Sequence, residues 1–273
     1  MRLTVRHTTR YRYDSPLANA MQQLRLTPPD CAGQTVVDWR IEAPGIERAT
    51  TYTDAFGNLV HMVSSRETIE AVEITARGTV ETQDLAGVLG MEPADAPVRI
   101  YGRVTPLTEA NQAIRRLAGL VGDGDRIAGF HALMHAVRDK VGYRVGVTET
   151  HATAAQTLAA GEGVCQDHAH IFIAAARALG VPARYVSGYL LLEDEQESEA
   201  HHAWAEVFID GLGWVGFDVS NAICPTDRYI RLTVGLDSRS AAPIRGIRFG
   251  GTEENLNVEV DVSRAAGQQQ QQQ

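Results

Sequence analysis

Apolar and polar positions alternate along residues 1–82 with the two-residue period of half-buried β-strands. The chain opens with the clearest case, in which Leu3, Val5 and His7 alternate with polar or charged neighbours. Shorter segments of the same kind follow between proline and glycine turns, at residues 24–26, 36–41, 50–53, 59–63 and 69–80. Short strands at this spacing are typical of a small antiparallel β-sandwich. We therefore predict a β-rich amino-terminal domain over residues 1–82.

The pattern changes beyond residue 82. Residues 83–107 lose the alternation and contain several prolines, which predicts a linker draped between two domains. Apolar residues then recur at helical spacing in three segments, 109–120, 126–141 and 154–158. The residues that precede these segments belong to types that cap helices: Thr108, Asp125 and Thr153.

A fourth helix is predicted over residues 165–179, after the glycine-rich loop at 161–163. Its apolar residues cover most of the cylinder, which indicates a buried helix. Because the positive end of a helix dipole stabilises negative charge, Cys165 in the first turn is expected to favour the thiolate and act as a nucleophile. A lone cysteine is more commonly a small core residue, but the glycine loop and the residues downstream favour the reactive role.

Two strands after this helix carry the partners that such a nucleophile needs. Segments 201–209 and 213–220 are rich in β-branched and aromatic residues, with a hairpin turn between them. A three-residue loop would place His202 and Asp218 on the same face of the hairpin, whereas a four-residue loop would turn Asp218 to the opposite face. The sequence allows either loop, and a catalytic interpretation requires the three-residue loop or a β-bulge.

Cysteine, histidine and aspartate in this order match the arrangement of nucleophile, base and orienting residue. Here the chain resembles the transglutaminase-like superfamily of bacterial cysteine enzymes, through Gly163-Val-Cys165-Gln-Asp, the strand after Gly180, His202-Ala-Trp204 and Gly213-Trp-Val-Gly-Phe-Asp218. The resemblance extends over residues 105–262, and residues 1–82 are similar to the β-rich domain that precedes this core in many bacterial members. It implies an α+β fold, in which an N-terminal antiparallel β-sandwich is followed by a papain-like/transglutaminase-like core of helices packed on an antiparallel sheet.

The catalytic core is accordingly expected over residues 108–262, with 228–234 and 256–262 as the final strands of its sheet. Residues 263–273 are expected to form a disordered, glutamine-rich tail. The segment 193–199 contains five carboxylates and is expected to be a solvated loop tip that could also repel acidic substrates or attract basic ones.

Other residues compete for roles at this site. His201 is an alternative base, but neighbours on a strand face opposite ways, and the family's His-Ala-Trp pattern selects His202. Asp167 and Glu206 are alternative orienting residues, although a carboxylate in the first turn of a helix also complements the dipole. His168 and His170 are two apart on a helix and therefore point away from each other, so we expect no metal and no cofactor.

The implied chemistry is attack of the Cys165 thiolate on an amide or ester carbonyl to form a thioester, with His202 as the base held by Asp218. The backbone N–H of Cys165 is an expected oxyanion donor. Hydrolysis by a cysteine protease or amidase is the preferred function, acyl transfer to an amine is second, and a non-enzymatic binding module is third.

Composition limits the partners of the protein. The formal charge of −9 and the lack of a Lys/Arg cluster argue against nucleic acid and anionic membranes. The resemblance implies a peptide, protein or other amide substrate. The amino terminus lacks the apolar segment of a signal peptide, and the three cysteines include no Cys-x-x-Cys motif. These features favour the reducing cytoplasm.

Overall fold

The computed structural model describes residues 1–17, 19–65, 69–91, 96–122, 124–146, 151–192, 201–249 and 254–265. The predicted acidic loop at 193–199 and the glutamines at 268–273 lie outside these residues. Within the described part of the chain, no helix is long and apolar enough to cross a membrane.

The α-helices and most of the longer strands of the described residues follow the order that the hydrophobic pattern predicts, while several shorter strands lie outside the predicted segments. The strands are β1 (Arg2–Leu17), β2 (Asn19–Leu24), β3 (Gln34–Glu42), β4 (Thr50–Thr53), β5 (Leu59–Ser65), β6 (Ile69–Thr82), β7 (Val88–Gly90), β8 (Gly142–Tyr143), β9 (Glu162–Gly163), β10 (Ala183–Leu190), β11 (His201–Ile209), β12 (Gly213–Phe217), β13 (Tyr229–Gly235), β14 (Ile244–Phe249) and β15 (Glu254–Arg264). The α-helices are α1 (Gln112–Ala118), α2 (Arg126–Lys140), α3 (Ala154–Ala160) and α4 (Cys165–Ala178).

Two four-stranded sheets form the amino-terminal sandwich, with strand orders β15-β1-β6-β3 and β14-β2-β5-β4. Leu3 and Val5 of the first sheet and Leu24 and Val63 of the second share one buried core. The predicted antiparallel sandwich is therefore present, because the apolar positions of the alternating pattern meet between the sheets.

A five-stranded sheet of order β13-β10-β11-β12-β7 forms the centre of the second half. Helix α4 packs on this sheet and is buried from Asp167 to Arg177, while α1, α2 and α3 surround it. The arrangement agrees with the predicted α+β core of helices on an antiparallel sheet. It also explains the apolar surface of α4, because a helix enclosed by neighbours needs no polar face.

Helix caps follow the sequence in two of three cases. The side chains of Asp125 and Thr153 accept hydrogen bonds from Ala128 N and Gln156 N and start α2 and α3 as predicted. The prediction for Thr108 is wrong: Asn111 caps α1, and its side chain accepts from Ile114 N. Thr108 instead ends a short 3-10 turn whose first cap is Thr105, so the chain enters α1 three residues later than predicted.

Two strands from the end of the chain join the amino-terminal sheets, and one strand from the predicted linker joins the core sheet. The prediction that residues 256–262 close the catalytic sheet is wrong, because β15 pairs with β1 along its whole length and β14 pairs with β2. Strand β15 continues to Arg264, past the predicted start of the tail at 263. The predicted linker also contributes to the core sheet, because β7 forms its edge beside β12. The division into independent domains stays a prediction, since the last strands return to the amino-terminal sheets.

Two side-chain amides bind the open edge of β13. Gln34 donates to the Arg231 carbonyl at 2.9 Å and accepts from its N–H at 2.8 Å. Asn58 makes the same pair of bonds to Val234, at 2.8 and 2.9 Å. Each amide replaces one residue of a neighbouring strand, so the amino-terminal half satisfies an edge that would otherwise be open to pairing with other chains.

Candidate active site

Cys165 is the first residue of α4, and the loop that precedes it is fixed by hydrogen bonds to the Asp167 side chain. The Asp167 carboxylate accepts hydrogen bonds from Val164 N at 3.0 Å and from the Thr157 hydroxyl at 3.2 Å. Asp167 is 1% exposed, so it ties the cysteine loop to α3 in addition to complementing the helix dipole. This agrees with the interpretation of Asp167 as a structural residue rather than an orienting one.

Gly163 lies two residues before Cys165, where the chain passes close to its neighbours. A Cβ at this position would lie 2.8 Å from Thr157 Cγ2 and 2.9 Å from Asp167 Cβ. Any larger residue would have to push α3 and the start of α4 apart. The glycine-rich loop therefore sets the position of Cys165 by allowing this close approach.

The hairpin of β11 and β12 has the three-residue loop that the catalytic interpretation requires. Ile209 pairs with Gly213, which leaves residues 210–212 as the loop. His202 and Asp218 consequently lie on the same face, and His202 Nε2 lies 2.7 Å from Asp218 Oδ2. The imidazole donates this hydrogen bond, which leaves Nδ1 as the ring nitrogen for the cysteine, and the Cys165 thiol is within hydrogen-bonding reach of the ring.

Asp218 is fully buried and has further partners that sequence reasoning missed. The Tyr229 hydroxyl donates to Asp218 Oδ2 at 2.7 Å, and the Asn221 side chain donates to the same oxygen at 2.7 Å. Asn221 N donates to Oδ1 at 3.2 Å. In the sequence, the only hint of such a role is that Asn221 lies three residues after Asp218. At this spacing an aspartate side chain can accept hydrogen bonds within a turn.

Charge and hydrogen bonding determine the protonation of this pair. Burial lowers the pKa of His202, but the Asp218 carboxylate and the Cys165 thiol outweigh burial and raise that pKa from 6.5 to about 10. Burial raises the pKa of Asp218, and the charge of His202 with the hydrogen bonds from His202, Tyr229 and Asn221 reverses this and lowers it. The environment therefore favours an imidazolium paired with a carboxylate at neutral pH.

The competing residues have other partners. His201 faces the opposite side of β11, where its Nε2 lies 3.0 Å from the Ser187 hydroxyl. The Glu206 carboxylate accepts from Arg184 at 2.5 Å and from Arg231 at 3.2 Å, and all three side chains are buried. Glu206 therefore belongs to an arginine cluster rather than to His202.

The two histidines of α4 have separate structural contacts. His168 lies between the Ser220 hydroxyl, at 2.8 Å, and the Val141 carbonyl, at 2.9 Å. His170 Nε2 accepts from Ser238 N at 3.1 Å. Burial lowers the pKa of His170 to about 4, which keeps the ring neutral and able to accept this bond. The structure thus directs the two rings to different neighbours, as their spacing on a helix predicts.

All three cysteines are reduced thiols, but they have different surroundings. Burial raises the pKa of Cys224, whose Sγ lies 3.9 Å from His131 Nε2. Cys31 lies on the loop before β3 in the amino-terminal half. Neither thiol begins a helix, so Cys165 alone has the environment of a nucleophile.

Comparisons with known proteins match both halves of the chain. Residues 115–219 match the model of the transglutaminase-like superfamily, and residues 3–81 match that of the bacterial transglutaminase-like N-terminal region. An uncharacterized protein of Mycobacterium leprae is 31% identical over 282 residues, which cover 97% of this chain and 99% of that protein. An uncharacterized protein of Mycobacterium tuberculosis is 29% identical over 289 residues, with 96% and 92% covered.

One solved structure shares the whole fold. A candidate cysteine protease from Cytophaga hutchinsonii superposes with a TM-score of 0.77 over 96% of this chain and 90% of its own. Its sequence identity is 21%, so this likeness concerns the fold. Together with the matched segments and the full-length relative, it places the protein: the chain belongs to the transglutaminase-like superfamily and carries the bacterial N-terminal region of that superfamily.

Proposed function

We propose that the protein is a cysteine-dependent amidase or peptidase that acts through a thioester acyl-enzyme. The observation that carries the proposal is the meeting of three side chains from distant segments: Cys165 at the start of α4, His202 beside it, and Asp218 at 2.7 Å from the imidazole. A superfamily core and the fold of a candidate cysteine protease support an enzyme of this general kind.

The first half of the reaction forms the acyl-enzyme. The Cys165 thiolate adds to the carbonyl carbon of the substrate, and the carbonyl oxygen takes the negative charge. The backbone N–H of Cys165, in the first turn of α4, is the donor that we propose stabilises this oxygen. The carbon–nitrogen bond then breaks while the His202 imidazolium gives its proton to the leaving amine, which leaves a thioester on Cys165.

The second half regenerates the enzyme. Neutral His202 removes a proton from water, the resulting hydroxide adds to the thioester, and the carbon–sulfur bond breaks to release the acid. Asp218 keeps the imidazole in one orientation throughout and stabilises its charged form. We propose water as the acceptor because transfer to an amine requires a site that binds a dilute amine and excludes bulk water.

The proposal includes a reducing compartment such as the cytoplasm, because the reaction needs a reduced Cys165. The three thiols of the structure support this placement.

The experiment uses a mixture of peptide amides with an excess of a primary amine, analysed by mass spectrometry. Hydrolysis predicts mainly free acid, and Cys165→Ala, His202→Ala and Asp218→Ala should each lower its formation by orders of magnitude. Cys224→Ala is the matched control, because it removes another partly buried thiol without touching the site, and it should keep activity. Mainly amine adduct would replace the hydrolase by an acyl transferase. No product together with no Cys165-specific labelling by a thiol-reactive amide mimic would reject both.

A further inference from the structure

A cleft of about 780 Å³ lies between the amino-terminal sandwich and the catalytic core, near the start of α4. Tyr11, Tyr13, Gln22 and residues 244–246 of β14 line it from the sandwich, while Gln166, Tyr185 and residues 238, 239, 241 and 242 line it from the core. Gln166 directly follows Cys165 in the chain, so the cleft lies near the nucleophile. Its volume is that of a site for a ligand of a few residues, typically about 300–1,000 Å³.

The cleft is basic although the protein is acidic. Its charged lining residues are Arg239 and Arg245, and no carboxylate appears among the described residues that line it. The whole chain has a formal charge of −9, so the positive charge of this lining is opposite in sign to the net charge of the protein. Guanidinium groups bind carboxylates through paired hydrogen bonds, which makes a carboxylate the ligand chemistry that fits.

Arg239 lies on a turn that is tied to the catalytic helix. Ser240 N donates to Asp237 Oδ1 at 2.9 Å, and Ser238 N donates to His170 Nε2 at 3.1 Å. His170 is fully buried on α4, the same helix that begins with Cys165. The turn therefore has a defined position relative to the nucleophile, although the Arg239 side chain itself is exposed.

Arg245 reaches the cleft from the other half of the molecule. It lies on β14, opposite Gln23 of β2 in the ladder of the second amino-terminal sheet. Arg239 and Arg245 thus belong to the core turn and to the sandwich, and the return of β14 to the sandwich brings them to one cleft.

We propose that this cleft binds the acyl-donor part of the substrate and selects peptides or amides that carry a carboxylate near the scissile bond, through Arg239 and Arg245. The inference rests on the proposed function and names its substrate class. An acidic peptide is the simplest ligand of this chemistry.

The test uses pairs of N-acetylated peptide amides that differ only by Glu or Gln, or by Asp or Asn, near the scissile amide. The wild-type enzyme should prefer the acidic member by about tenfold in kcat/KM at low salt, and the preference should fall as salt screens the charges. Arg239→Gln with Arg245→Gln should remove the preference by raising KM much more for the acidic peptide than for the neutral one. Arg115→Gln, on the exposed face of α1, is the control and should keep the preference.

A binding measurement separates this inference from the proposed hydrolysis. Cys165→Ala should bind the acidic peptide more tightly than the neutral one, and the two arginine substitutions in that background should abolish the difference. Arginine-dependent binding without turnover by the wild type would keep the cleft assignment and reject the hydrolase. Equal turnover of the two peptides, or equal affinity for them, would overturn the cleft assignment. So would a preference for the acidic peptide that persists in the double arginine variant.

Discussion

Tyr229 and His202 hydrogen-bond to the same oxygen of Asp218, each at 2.7 Å, although Tyr229 comes from the edge strand β13. Burial and the Asp218 charge raise the pKa of Tyr229, so its hydroxyl keeps its proton and remains a donor. The Tyr229 ring also packs edge-on against Trp204 at 5.5 Å. Tyr229 is therefore a positioning residue that directs the Asp218 carboxylate toward the imidazole.

Tyr229→Phe removes this donor and keeps the ring. We expect the fold to survive and kcat/KM to fall by about tenfold, as for a lost hydrogen bond to a buried charge. KM should change little, and the pH–rate profile should shift because Asp218 loses a stabilising partner. Steady-state kinetics across pH check this, with Tyr52→Phe on the exposed face of β4 as the control. A variant with wild-type kcat and an unshifted profile would remove Tyr229 from the site.

Asp218→Asn should lower the pKa of His202 from about 10 toward its ordinary value of 6.5, because it removes the carboxylate that most favours the charged ring. The basic limb of activity, where the imidazolium loses its proton, should move to lower pH accordingly. NMR titration of the His202 ring checks this directly. Asp210→Asn at the exposed hairpin tip is the control, and an unchanged His202 titration in Asp218→Asn would contradict the assignment.

The same pair makes stability depend on pH. The pKa of His202 is raised in the folded protein, so its contribution is complete below about 6.5 and is lost as pH rises to about 10. The free energy of unfolding, measured in urea, should therefore fall over this window in the wild type. The fall should be smaller in Asp218→Asn, and equal pH dependence in the two proteins would show that the pair adds no stability.

Gly163→Ala should destabilise the protein by about 1–3 kcal/mol, because its Cβ needs space that Thr157 and Asp167 already occupy. Since the same shift moves Cys165, kcat/KM should fall in molecules that remain folded. Gly102→Ala is the matched control, because a Cβ there meets no atom within 4 Å. Equal melting temperatures for the two variants would contradict a close-packed cysteine loop.

Gln34→Ala and Asn58→Ala should each cost about 1–3 kcal/mol of unfolding free energy, because each leaves backbone groups of β13 without their partners. Gln112→Ala, on the exposed start of α1, should be close to neutral. Urea unfolding provides the measurement. If both variants match this control, water replaces the amides at no cost and the sandwich does not support the edge of the core sheet.

The sequence by itself determined most of the local structure and predicted the residues of the candidate site. The alternation of Leu3, Val5 and His7 predicts a strand because the two-residue period of apolar positions is a local property of the sequence. Glycines before Cys165 and capping residues such as Asp125 act within one turn, so they too can be recognised without the fold. Motif order then predicted Cys165, His202 and Asp218 as the site residues, but the loop length that brings the last two together remained open.

Tertiary structure alone decided which strands pair and which distant groups meet. The alternating pattern predicts a strand at residues 256–262 but does not predict which strand it pairs with. Both β1 and the core sheet offer an apolar face on which it could pack, and it pairs with β1. Tyr229 reaches Asp218, and Arg245 and Arg239 line one cleft, only because the segments that carry them are brought together by packing across the whole molecule. Such contacts depend on three-dimensional proximity between segments far apart in the chain, and no local pattern of residues records it.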